Sequence, residues 1–315
     1  MSESALDELE PVLEHHPLPA NVLKNIMAGT SALGMGVVIE RAFGFLSNIL
    51  AARIGGASTF GSYSLAISTA NNVGTYAAGG IGSTAIRFSG EYSRGTNSYS
   101  TLAKVLSLIA LLSGSLAGLV LWLGAVPLSR LVHKPDIVPV LQWAAFSAVG
   151  IVLLECARGF FVGQMRLKAI LLLSGFVGIG MVSVLPLASH FGPTAMICGQ
   201  SAVIIGAVLT CLIFYKPLEL ASPVESTDPA PMLPMLKRVW SYGLMQLTGL
   251  VGLNAAGWWL TSLIAKGDTT MAQMGYFAIA HQFRNIVALV PSLIPREASP
   301  RWPTRMRQMQ RLQIP

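Results

Sequence analysis

The chain has 315 residues, 53% of them hydrophobic and only 11% charged, with a mean hydropathy of +0.60 and a formal net charge of +7. So little polar surface cannot solvate a soluble globule, and the bilayer must serve as solvent. The positive balance does not indicate nucleic acid, because the basic residues stand in short connectors between apolar runs, where membrane topology uses them.

Residues 1–25 form an acidic cytoplasmic tail, carrying Glu3, Asp7, Glu8, Glu10 and Glu14, without the basic and apolar regions of a cleavable signal peptide. A spanning helix needs roughly 20 apolar residues. Eight runs meet this: Ile26–Ala52, Phe60–Ile86, Leu102–Val126, Val138–Val162, Ala169–Ser189, Thr194–Tyr215, Val239–Ile264 and Met274–Ile294. The expected fold is an all-α polytopic membrane protein of about eight helices. Cys156, Cys198 and Cys211 fall inside these runs without paired spacing, so neither a disulfide framework nor a metal site is expected.

The connectors set an orientation. With the N-terminus in the cytoplasm, that side receives Lys24, Arg87, Arg94, Lys104, Arg158, Arg166, Lys168, Lys216, Lys237, Arg238 and the arginines of the tail, while the other side receives Arg53, Arg130, Lys134 and Lys266. The asymmetry predicts a cytoplasmic N-terminus in a multi-pass membrane protein. A Pro-rich stretch, residues 217–234, reads as a linker between an N-terminal lobe of about six helices (26–216) and the first two helices of a second lobe (235–294).

Just past the linker an early theme returns: ILAARIGGASTFGSYSLA at Ile49–Ala66 and LIAKGDTTMAQMGYFAIA at Leu263–Ala280. Gly61 to Ala66 and Gly275 to Ala280 share one spacing. Six helices return a chain to its starting side, so such a repeat is parallel.

Charged side chains near the middle of a span each cost roughly 2.5–3.5 kcal/mol on insertion scales, which selects against idle ones. Glu40 and Arg41 in the first span and Arg284 in the eighth, with His281 one turn earlier, are therefore the candidate cavity residues. Neighbours in sequence, Glu40 and Arg41 point about 100° apart and need not pair with each other. Arg41 and Arg284 suit phosphate oxygens, Glu40 suits proton or cation coupling, and either charge also fits a buried pair to another helix. His281 fits a proton-sensitive group or a merely hydrogen-bonded one. Asn71, Asn72 and Asn254 fit sugar hydroxyls or inter-helix bridges. Glu155 with Arg158 reads as an i,i+3 pair.

The stretches FLSNILAARIGG after Arg41, STFGSYSLAIS, IGSTAIRFSGEYSRG, ARGFFVGQMRLKA and GYFAIAHQFRNIVALVPSLI together resemble the bacterial polysaccharide (O-antigen type) flippases of the multidrug/oligosaccharidyl-lipid/polysaccharide exporter superfamily. The resemblance implies two lobes around a central cavity that opens alternately to each face, and a polyprenyl-pyrophosphate-linked oligosaccharide as substrate. Membrane lipid, a polysaccharide polymerase and glycosyltransferases are the partners it implies. The ending SPRWPTRMRQMQRLQIP, residues 299–315 of a basic tail that starts at 295, departs from the family and reads as an interrupted frame, so C-terminal truncation is expected.

Two other functions compete. A multidrug or metabolite antiporter of the same superfamily would favour acidic over basic midplane residues. A membrane polymerase or glycosyltransferase would need long external loops with acid–base groups, where here only His133, Asp136 and His190 lie in short ones. No Walker motif, zinc pattern or nucleophile elbow is present. No enzyme, catalytic residue, cofactor or metal is therefore expected.

Overall fold

The computed structural model describes residues 20–92, 96–215 and 232–287. These form eight α-helices: α1 (Ala20–Ala78), α2 (Ile81–Glu91), α3 (Asn97–Leu131), α4 (Val138–Gly163), α5 (Leu167–Ser189), α6 (Pro193–Tyr215), α7 (Met232–Gly267) and α8 (Ala272–Val287). A single 3-10 turn, Pro135–Ile137, leads into α4. The acidic N-terminal segment, most of the Pro-rich linker, the end of the eighth expected span and the basic tail lie outside the described residues.

A straight helix of 59 residues would run about 88 Å, far beyond a bilayer of about 30 Å. α1 is instead two limbs that meet at Gly56, whose φ of 79° and ψ of 162° interrupt the helix. That conformation is open to glycine and strained for residues with a Cβ. The first two expected spans are these limbs. The second was expected to continue to Ile86, but Gly79 and Gly80 both take positive φ and divide it, so that α2 starts afresh at Ile81. The next five expected spans fall within α3 to α7, and the described part of the eighth falls on α8.

Among the described residues, five helical stretches are long and apolar enough to cross a membrane, the first of them covering both limbs of α1. Their outward faces are apolar: Leu112, Leu116 and Leu123 on α3, Ile179 and Leu187 on α5 and Ile213 on α6 are each 60% or more exposed. Water would not tolerate such a belt, whereas acyl chains match it. The chain is a multi-pass, all-α membrane protein.

Inside the belt, α1 packs along α5, and α3 along α4. One apolar core collects Phe60, Tyr63, Leu65, Leu121, Leu141, Met196 and Met274; a second holds Phe88, Tyr99, Leu106 and Phe160; a third joins α4, α5 and α6 through Phe161, Leu173 and Val208. Trp122, Trp143 and Trp240, each within about nine residues of a helix end, are 40%, 43% and 57% exposed, as interfacial indoles should be.

The repeated segments meet each other. A Cβ on Gly61 would overlap the Met271 carbonyl and come within 2.9 Å of the Gly275 nitrogen; one on Gly275 would overlap the Ala57 carbonyl. Gly61 thus touches the residue four before Gly275, and Gly275 the residue four before Gly61. Such reciprocity is what two-fold-related elements produce. Close by, Ser58 donates to the Thr270 carbonyl, and Lys134 Nζ donates to the Thr269 carbonyl at 2.7 Å.

Candidate functional site

The helices around this crossing leave a cavity of about 490 Å³ between α1, α6, α7 and α8. Six of the seven candidate residues line it: Arg41 from the first limb of α1, Asn71 and Asn72 from the second, Asn254 from α7, and His281 and Arg284 from α8. Residues up to 243 positions apart in sequence therefore share one wall. The reason is cost: each is a polar group in an apolar helix, and the helices turn those groups toward one another and away from lipid.

Glu40 does not line this cavity. Its Oε2 accepts from Arg158 Nη2 at 2.7 Å, and the same guanidinium donates through Nη1 to Glu155 Oε1 at 3.3 Å. The roughly 100° between adjacent helical positions thus sends Glu40 to α4 and Arg41 to the cavity. Among the described residues lining the cavity none is acidic, while two are arginines.

The amides are partly committed. Asn72 Nδ2 donates to the Ser68 carbonyl at 2.9 Å, and Tyr76 Oη reaches Asn72 Oδ1 at 3.4 Å. His281 lies 6.1 Å from the Phe277 ring, centroid to centroid. Among the described residues no group of three or more His, Cys, Asp or Glu is placed to hold a metal.

Further wall residues escaped the sequence reading: Asn48, Tyr63, Gln200 and Trp258. Gln200 accepts from the Tyr63 hydroxyl, and Trp258 Nε1 donates to Thr69 Oγ1 at 3.0 Å. One signal was legible. Gln200 is a lone amide deep in an apolar run, while Trp258, six residues from the end of its expected span, reads as an interfacial tryptophan. Nothing in the spacing of Tyr63 set it apart from a core aromatic.

An all-α, multi-pass membrane protein with a cationic cavity among its helices is thereby defined. The chain belongs to the polysaccharide biosynthesis protein family, whose model matches residues 26–295. None of the curated proteins compared matches it. A solved structure described as a MOP superfamily transporter from Pyrococcus furiosus, whose binding pocket of reverse polarity suggests a different function, is similar at 16% identity with a TM-score of 0.47. The match covers 84% of this chain, and the chain spans 66% of the length of that structure.

Proposed function

We propose that the chain carries out, or forms the larger part of a protein that carries out, the flipping of a polyprenyl-pyrophosphate-linked oligosaccharide across the bacterial inner membrane for polysaccharide or lipopolysaccharide synthesis. The observation that carries this reading is the cavity holding Arg41 and Arg284 without an acidic neighbour among its described wall residues. Guanidinium groups replace water around phosphate oxygens, donating in a planar fork that matches them. No covalent bond forms or breaks. The polyprenyl tail stays in the bilayer while the charged head passes between the lobes.

With the N-terminus in the cytoplasm, outward movement of negative charge is assisted by about 2.3 kcal/mol per charge for each 100 mV of inside-negative potential. An N-terminal lobe over 26–216 and the helices from 235 onward would rock against each other about the linker. A polymerase and glycosyltransferases of the same route would supply and consume the substrate. A multidrug antiporter fits less well, since a cationic drug would meet two arginines.

The test is reconstitution of the full chain into vesicles with a fluorescent polyprenyl-pyrophosphate-linked sugar in both leaflets. Faster loss of protection from an external quencher, compared with protein-free vesicles, is the expected result. Equal rates, with the protein folded and inserted, would refute the reading.

A further inference from the structure

A second, smaller cavity shares no described residue with the first. It holds about 130 Å³ and lies where the second expected span breaks at Gly79 and Gly80. Ala78 and Gly79 from the second limb of α1, Ile109 and Ser113 from α3, and Trp240 and Gly243 from α7 are on its wall. An empty space of this kind forfeits the dispersion contacts of every atom that lines it.

The polar groups of the wall are turned to other uses or covered. The Tyr76 hydroxyl donates to Asn72 Oδ1 at 3.4 Å, and the Ser113 hydroxyl to the Ala110 carbonyl at 3.5 Å. Thr84 Oγ1 is buried with no hydrogen-bond partner among the described residues. The Gly79 carbonyl is packed against Gly243, whose Cβ position lies 2.9 Å from it. What remains facing the space is carbon. A carbon-lined cavity of about 150 Å³ stays dry and takes a small apolar molecule instead, and this one is of that size.

Of the described wall residues Trp240 alone is exposed, at 57%, so the cavity opens beside its indole. On α3 the residues next to Ile109 and Ser113 are Leu108 and Leu112, 46% and 62% exposed in the apolar belt. The opening is thus continuous with the surface that acyl chains already cover. We propose that this cavity is a hydrocarbon site: an acyl chain of a bilayer lipid leaves the belt beside Trp240, lies between α3 and α7, and fills the space at the helix break. Bulk lipid is the occupant because the opening meets the belt directly and the wall reads only carbon. Since α3 and the second limb of α1 precede the Pro-rich linker and α7 follows it, the bound chain makes packing between these two parts of the molecule depend on lipid.

Photolabelling of the full chain tests this, in lipid nanodiscs doped with a phosphatidylcholine that carries a diazirine midway along one acyl chain, with adducts mapped by mass spectrometry. Labelling of Ile109, Ser113 and Trp240 should exceed severalfold that of Leu116 and Leu123, which face the belt directly. Ser113→Leu and Ile109→Phe put side-chain carbon into the cavity and should each abolish the excess at the other wall residues. Both should leave the labelling of Leu123 as in wild type, which also shows that they fold. Thr84→Val removes a hydroxyl that has no partner and should leave the labelling unchanged and the melting temperature equal or higher.

Wild-type labelling no denser on the wall than on Leu116 and Leu123 would overturn the site, whether or not the variants fold, and so would an excess that survives both filling variants. A lower melting temperature for Thr84→Val would show a hydroxyl bonded by water and hence a wet cavity, which overturns it as well. Loss of the excess on adding polyprenyl phosphate, at a small fraction of the phosphatidylcholine, would overturn bulk lipid as the occupant in favour of a polyprenyl chain.

Discussion

Arg158 on α4 donates to Glu40 on α1 at 2.7 Å, joining residues 118 positions apart, while its other nitrogen reaches Glu155 at 3.3 Å. The guanidinium serves two carboxylates and is the hub of the cluster. Removing a hub strands both partners, whereas removing either partner leaves a pair. Arg158→Ala should cost about 2–3 kcal/mol, less than a fully buried pair because each side chain is about 30% exposed or more. Glu40→Gln should cost less, and Glu155→Gln, with the longer contact and greater exposure, least. Thermal melts in detergent give the order; a larger loss for Glu155→Gln than for Glu40→Gln would show that the 2.7 Å pair is not the dominant one.

The crossing of α1 and the start of α8 admits no side chain at Gly61 or Gly275, since a Cβ on Gly61 meets the carbonyl of Met271, just before α8, and one on Gly275 meets that of Ala57 in α1. Gly61→Ala and Gly275→Ala should each destabilise by about 1–3 kcal/mol. Because one helix displacement relieves both overlaps, the double variant should lose less than the sum of the singles. Gly44, within helix and with open space around its Cβ position, is the contrast: Gly44→Ala should be neutral or stabilising by up to about 1 kcal/mol.

Asp268 lies in the α7–α8 connection and is buried. Burial alone would raise its pKa, but the N–H groups of Met274, Thr270 and Gln273 and the Thr270 hydroxyl outweigh it and hold the carboxyl below its ordinary value of 3.8. The folded state therefore binds its proton less readily than the unfolded chain does. The stabilisation is complete above the ordinary value and fades as pH falls through the lowered one. Asp268→Asn should lower the melting temperature at neutral pH, by about 1 kcal/mol of cap, with the gap to wild type closing below about pH 4. A gap independent of pH down to 3 would separate the cap from the charge.

Arg41 and Arg284 are exposed to the cavity, and no pair holds either of them among the described residues. Arg41→Ala and Arg284→Ala should leave melting temperatures nearly unchanged yet weaken binding of polyprenyl pyrophosphate by about ten- to a hundredfold each, the worth of a charge-assisted contact. Lysine at either position should restore only part of the loss, because an ammonium lacks the planar fork. Equal binding by wild type and both alanine variants would remove the two arginines from the mechanism.

Much of the site was legible before any fold was known. An arginine in the middle of an apolar run is expensive wherever the helix goes, so Arg41 and Arg284 declared themselves, as did the amides Asn71, Asn72 and Asn254. Tyr63 and Thr69 did not, because a hydroxyl near an apolar helix face reads the same whether it lines a cavity or ties two helices. The division of the second span at Gly79–Gly80 was hidden for a like reason. Paired glycines are common in membrane helices, and only the backbone angles separate a break from a close packing site.

The sequence by itself determined that the chain is a helical membrane protein, where most of its helices lie, and which polar groups could not face lipid, because transfer of each residue into hydrocarbon is a local cost that does not depend on partners. Tertiary structure decided partnership. Glu40 and Arg41 are adjacent and equally costly, yet the helical twist and the approach of α4 give one a partner in Arg158 and leave the other to the cavity. Likewise, equal spacing around Gly61 and Gly275 indicated a repeat, but only the packed helices brought the two glycines together, since their contact depends on the path of all the chain between them.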